Sequence, residues 1–187
     1  MKKLLAFSML FLLLFTTACG SNENNASGSK KDEEAKEEKV DQTEIKSALL
    51  DFQSEVVDVL QTQHKPFAAF ESSKMMANDP EAAAEEKPAK EELQSLMKKA
   101  KAAGPKAAEA ILAIEVPAEL DQYKKEIQAA LEDAAKSYEV RAEDLTLEPD
   151  EKAQKEADKL FVSFEKKMGK VFEDVDLLPP SFSKAIQ

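Results

Sequence analysis

The chain has 187 residues and a formal net charge of −11, from 26 Lys and Arg against 37 Asp and Glu, with a single cysteine, a single histidine and no tryptophan. A surface this acidic argues against a nucleic-acid partner and against docking by bulk charge on anionic lipid or anionic wall polymer. One cysteine cannot form an internal disulfide or supply a multi-cysteine metal site.

The chain opens with Lys2 and Lys3, followed by an apolar run from Leu4 to Phe15 broken only by Ala6 and Ser8. This is the pattern of a secretory signal, here assigned to residues 1–18. As a helix the run covers about 18 Å, against roughly 30 Å of bilayer hydrocarbon, so it is too short for a comfortable permanent span. It ends at Thr16-Thr17-Ala18-Cys19-Gly20, small residues around the one cysteine.

The combination of basic start, short apolar core, Ala18 and Cys19 resembles the lipobox of bacterial lipoproteins. It departs from that family at Thr16, where Leu or another aliphatic residue is usual. The resemblance covers about the first twenty residues and implies that the Cys19 thiol receives a diacylglyceryl group and that the signal is cut just before it. Membrane lipid is then a partner, through the acyl chains on Cys19, and the chain is held at the extracytoplasmic face of the cell membrane. Two or more acyl chains, at about 0.8 kcal/mol per buried methylene, hold a protein stably where one does so only marginally. Losing residues 1–18 removes Lys2 and Lys3, so the mature charge is −13, and with Cys19 acylated the domain has no thiol for catalysis or metal binding.

From Gly20 to Lys39 no aliphatic or aromatic side chain exceeds alanine, so nothing offsets ordering entropy. Residues 19–39 are therefore expected to be the lipidated cysteine and a disordered tether, with a flexible-coil span of about 25 Å. The Lys30 to Lys39 part holds strong helix formers, and its alternative is a frayed extension of the first helix.

Residues 40–187 are expected to form one helical domain. Asp41 and Glu44 have capping-box spacing, and Val40 and Ile45 stand where a hydrophobic staple would close, so the first helix is expected to start here. Ile45, Leu49, Phe52, Val56, Leu60, Phe67 and Phe70 then recur at three-and-four spacing along one face, with Pro66 expected to kink or break it. Asp79-Pro80-Glu81 reads as the next start, with Pro88 delaying the well-packed part to near Ala89. Its stripe is Leu93, Leu96, Met97, Ala100, Ala107, Ile111, Leu112 and Ile114, with Gly104-Pro105 expected as a kink.

Pro117 is placed for the first turn of a third helix, whose face runs Leu120, Tyr123, Ile127, Leu131, Ala134, Tyr138, Ala142 and Leu145. Pro149, followed by Asp150 and Glu151, restarts the chain as a fourth, with Ala153, Ala157, Leu160, Phe161, Phe164, Met168, Val171, Phe172 and Val175 inward. Leu177 to Phe182 must be extended around Pro179-Pro180, with a last half-turn to Ile186.

No stretch alternates with the period of a strand. The expected fold is all-α: an antiparallel up-down bundle of four helices, kinked at Pro66 and Gly104-Pro105, about 45 Å long, after a disordered tether. A three-helix bundle with a kinked arm is the alternative. This order is expected to set Phe67 and Phe70 toward one end of the bundle and Phe161 toward the other. The phenylalanines read mainly as core; an exposed groove for a partner helix or peptide, capped by the Leu177 to Phe182 tail, is the sharper alternative.

Catalytic chemistry finds little to build on. The glycines stand at 20, 28, 104 and 169, which makes neither a phosphate cradle nor a nucleophile elbow. His64 has Gln61 before it, so the Glu-x-x-His pair of di-iron bundles is missing, and it reads as a surface or helix-end residue. Glu37-Glu38, Glu85-Glu86 and Glu91-Glu92 read as solvated faces, and Lys166, Lys167 and Lys170 as a local basic spot flanked by Glu165 and Glu173. No catalytic, cofactor or metal residue is assigned. The basic signal, lipobox and acidic tether resemble surface lipoproteins of low-GC Gram-positive bacteria. The expected role is non-enzymatic, a protein-binding or assembly module at the cell surface; the alternative is a ligand- or metal-capturing receptor lipoprotein of an uptake system.

Overall fold

The computed structural model describes residues 31–148 and 151–186. The signal of residues 1–18, Cys19, the tether to residue 30 and Pro149-Asp150 lie outside the described residues. The helices are α1 (Lys31–Asn78), α2 (Lys90–Leu112), α3 (Lys124–Glu143), α4 (Glu151–Asp174) and the single turn α5 (Phe182–Ala185), with a 3₁₀ segment at Ala118–Tyr123. No strand occurs among the described residues, and the fold is an all-α bundle.

Neighbours in sequence are neighbours in space: α1 packs on α2, α2 on α3 and α3 on α4. The directions follow from pairings across the bundle. Glu71 meets Arg141, and Lys74 reaches the Thr146 and Glu148 carbonyls, so α1 and α3 run in the same sense. Asp133 meets Lys167 while Ser137 meets Ala157, so α3 and α4 run oppositely. The result is the expected up-down order.

The boundaries differ from the sequence reading in four places. First, α1 begins at Lys31, so the Asp41-Glu44 box lies inside a 48-residue helix instead of opening it, and the run of strong helix formers before it continues the same helix. Second, Pro66 sits within α1 without ending it, since burial of Leu60, Phe67 and Phe70 on both sides of the proline outweighs one lost backbone bond. Third, Asp79 caps no helix: its Oδ1 accepts from the Glu81 amide at 2.8 Å in a local turn, and α2 starts only after Pro88. Fourth, the turns after Pro117 are 3₁₀, and the α-helix starts at Lys124.

Lengths change accordingly. With 23, 20 and 24 residues, α2, α3 and α4 are each about 30–36 Å long at 1.5 Å per residue, so the packed bundle is shorter than 45 Å and α1 overhangs it.

Packing follows side-chain size. The seam between α2 and α3 is built of Ala100, Ala103, Ala107 and Ala108 against Ala130, Ala134, Ala135 and Ala142, all buried. Small residues let two backbones approach closely. At the tightest point stands Gly104, where a Cβ would overlap the Ala142 side chain and lie 3.0 Å from the Tyr138 carbonyl oxygen. The helix α2 runs straight on through Gly104 and Pro105, so the glycine serves helix approach and does not mark a break. Leu112, expected inward, is 55% exposed at the end of α2.

The bulky residues lie on the outer helices: Phe52, Phe67 and Phe70 on α1 and Phe161, Phe164 and Phe172 on α4, all buried. Phe161 lies level with His64 and Glu71, since all three line one cleft. The expected separation of Phe161 from Phe67 and Phe70 is therefore corrected: opposed helices bring the C-terminal half of α1 beside the N-terminal half of α4.

The last helix ends in a Schellman turn. The Leu177 amide donates to the Phe172 carbonyl at 2.9 Å and the Asp176 amide to Glu173 at 3.0 Å, with Asp176 at φ 56°. An aspartate here is doubly unfavourable, in the left-handed region and beside the negative end of the helix. Asp176→Gly is expected to raise stability by about 0.5–1 kcal/mol, read as a higher melting temperature with unchanged helical circular dichroism.

Candidate functional site

Closure of the bundle is incomplete at the seam between α1 and α4, whose backbones approach one another little, whereas α5 packs on α1. The Phe182 side chain is wholly buried, its ring centroid 4.7 Å from that of Phe164. The Ser183 amide donates to Glu165 at 2.8 Å, and Gln61 donates to the Ala185 carbonyl at 2.8 Å. The tail thus spans the seam, with the expected extended stretch and closing helical turn.

Beside the tail the seam opens into a cleft of about 360 Å³. Its floor comes from α3, as Ser137, Tyr138 and Arg141; α1 contributes His64 and Glu71, and α4 contributes Asp158, Phe161, Val162 and Glu165. Ser163 and Glu165 flank Phe164 at non-core positions, so the i, i+4 stripe that buries Phe161, Phe164 and Met168 leaves Asp158 and Val162 facing outward.

Arg141 is the one arginine of the chain. Its Nη1 donates to Glu71 at 3.2 Å and its Nη2 to Asp158 at 2.8 Å, so the planar fork joins α1 to α4 across α3. The side chain is 17% exposed, against 32% for Glu71 and 58% for Asp158, so the fork is shielded and its outer partner is not.

His64 is half-buried in the middle of α1, where the sequence reading had it on the surface or at a helix end. Its ring stacks on Phe67 at 6.2 Å and meets Tyr138 edge-on at 6.1 Å, with Nδ1 3.4 Å from the Tyr138 hydroxyl. Burial lowers the imidazole pKa below its usual value; Glu71 opposes that and Arg141 adds to it. The Tyr138 phenol, 2% exposed, is pushed well above its ordinary value by burial, so it stays protonated.

A depressed histidine pKa means that the unfolded chain binds the proton more readily than the folded one. Stability from His64 is therefore present above the unfolded pKa of about 6.5 and is lost as pH falls toward the lower folded value. Asp133 contributes in a lower window. Burial alone would raise its pKa, but hydrogen bonds from Lys167 and Ser163 and the Lys167 charge, with the ammonium 2.7 Å away, hold it below the usual carboxylate value. Urea denaturation across pH is expected to show a decline setting in just below neutrality, which His64→Gln removes, and a second decline at strongly acidic pH, which Asp133→Asn reduces.

The remaining sequence candidates disperse. Glu85, Glu86, Glu91 and Glu92 are exposed, and Glu37 and Glu38 are not among the residues whose side chains are described. Of the expected basic spot, Lys167 is paired with Asp133 and donates to the Ala129 carbonyl at 3.1 Å. Lys170 and Lys167 line a second groove with Lys125, together with Glu126 and Asp174, so its charge is mixed. No group of His, Cys, Asp and Glu suited to a metal ion occurs among the described residues, and no helix among them is long and apolar enough to cross a membrane.

Sequence reasoning named neither Arg141 nor Asp158, and it saw Tyr138 only as a core residue. A lone arginine among lysines was the available signal. The cleft can hold a ligand by charge and hydrogen bonds; Ser137, its buried hydroxyl, donates at 2.8 Å to the Ala157 carbonyl. Comparison with protein-family models, curated proteins and solved structures finds no match for this chain, so its fold and site are described from geometry alone.

Proposed function

We propose that this protein is a lipid-anchored, non-enzymatic binding module at the extracytoplasmic face of the cell membrane. The observation that carries the reading is Cys19 directly after Ala18 and a short apolar run with a basic start, the combination in which a signal is cut and the new terminus acylated. The cleft supports binding over catalysis: its serine donates into helix backbone, Glu71 and Asp158 hold Arg141, and Glu165 caps the tail. Recognition or assembly with a partner protein is the role we assign. Capture of a small ligand for uptake is the second reading, favoured by the polar lining and the volume of about 360 Å³, near the lower end for small-molecule sites.

Growth with an alkyne fatty acid tests the anchor. The protein is expected to take up the label and to sediment with membranes, whereas Cys19→Ala takes up none and lacks the anchor. Labelling of the alanine variant, or an unlabelled wild-type protein, would overturn the reading.

A further inference from the structure

We propose that the cleft between α1 and α4 binds an organic cation, an ammonium or guanidinium group on a short apolar stem, whether a free amine or a lysine or arginine side chain of a partner. The inference rests on the binding reading above and adds the chemistry of the ligand.

Every wall contributes to the charge count. From α1 come Glu71 and His64, from α3 Arg141, and from α4 Asp158 and Glu165. With the imidazole neutral, three carboxylates face one guanidinium. Arg141 engages Glu71 and Asp158, which leaves Glu165 with only a backbone amide as its partner, at 2.8 Å from Ser183. An amide dipole does not cancel a full charge, so the cleft keeps an unmet demand for a cation.

The second observation is independent of the acids. The Tyr138 hydroxyl lies at the cleft on a residue 2% exposed, and its contact among the described residues is the 3.4 Å approach to His64, beyond the usual hydrogen-bond length. A buried hydroxyl so weakly engaged leaves a hydrogen-bonding position open to whatever enters. Val162, 60% exposed, and the half-buried Ile186 offer apolar surface for a stem beside these polar groups. An anionic ligand would have to displace Glu71 or Asp158 from Arg141 and face Glu165 as well.

Because His64 is the only histidine, its ring resonances report on this cleft alone. The full lipidated protein in nanodiscs of zwitterionic lipid would be titrated with 1,5-diaminopentane, with the peptide acetyl-Gly-Lys-Gly-amide, and with succinate as the anionic control. Saturable His64 shifts are expected with at least one cationic probe and none with succinate. A response to the diamine alone points to a free amine, and a stronger response to the peptide points to a partner side chain.

Glu165→Gln, which keeps an acceptor for the Ser183 amide, is expected to weaken the cation by about threefold, the scale of one partly screened charge. Arg141→Gln is expected to tighten it by about as much. Unchanged circular dichroism shows that both variants remain folded.

Saturable binding of succinate would overturn the ligand class and leave the binding module standing. A shift that never saturates and ignores Glu165→Gln would mean attraction to an acidic surface only, and it overturns the proposal. Silence from every probe overturns both the ligand class and the cleft as the binding site. The acyl label on Cys19 is scored separately, so failure of the anchor is distinguishable from failure of this inference.

Discussion

Gly104→Ala is expected to destabilise the protein by about 2–4 kcal/mol, although the same change at an exposed helix position gains about 1 kcal/mol. The sign reverses because helix propensity is a property of one helix and Gly104 belongs to a contact between two. A methyl group there would overlap the Ala142 side chain and sit 3.0 Å from the Tyr138 carbonyl, so α2 and α3 would have to separate. Separation loosens the alanine seam along both helices, where close-packed atoms lose contact over a small displacement. Urea unfolding at neutral pH measures the loss, and thermal melting should fall by several degrees. Adding Ala142→Gly is expected to restore part of it, since that removes the overlapping methyl but not the carbonyl contact. A Gly104→Ala protein as stable as wild type would mean that the helices are not pressed together at this point.

Phe182→Ala should cost about 3–4 kcal/mol, the scale of a fully buried phenylalanine truncated in a core. The residue belongs to a four-residue turn at the end of the chain, where a substitution would ordinarily be harmless. Here the ring is 0% exposed against Phe164, and Pro179 lies so near Gly169 that a Cβ on the glycine would meet it at 3.3 Å. The other ties, from Ser183 to Glu165 and from Gln61 to Ala185, are each worth about 1 kcal/mol and cannot hold the turn without the ring. Amide exchange of residues 182–186 should accelerate together with the loss of global stability. Leu178→Ala, at an 89% exposed position of the same tail, is the control and should stay within about 0.5 kcal/mol of wild type. Fast exchange of the tail with undiminished global stability would show that the seam closes without it.

Both effects show where one-dimensional reading stops. The apolar spacing of α1 and α3 was legible, and Leu49, Phe52, Val56, Leu60, Phe67, Phe70, Ile127, Leu131, Ala134, Tyr138 and Ala142 are all buried as the pattern required. Proline signals were less dependable. Pro80 starts no helix, and Pro66 and Pro105 end none, because one lost backbone bond weighs little beside the burial of whole side chains around it. The cap at Asp41 was overruled for a related reason: a capping residue is worth about 1 kcal/mol and cannot stop a helix whose preceding residues also favour one.

The cleft was the least legible feature. His64, Glu71, Tyr138, Arg141 and Asp158 come from three helices, and no spacing along the chain records that they meet.

The amino-acid order by itself determined the fold class, because a stripe recurring every three to four residues has only one regular backbone on which to form a face. It also supplies the reading of Cys19, since the order of charge, apolar run and small residues is what an export apparatus would inspect in an unfolded chain. The tertiary structure decided what side chains do to partners far away in sequence. It made Gly104 a point of contact instead of a hinge, made a terminal phenylalanine part of the core, and joined a lone arginine to two acids across an open seam. Such roles depend on distances between helices, and those are set by the summed packing of the whole bundle and by no local stretch of it.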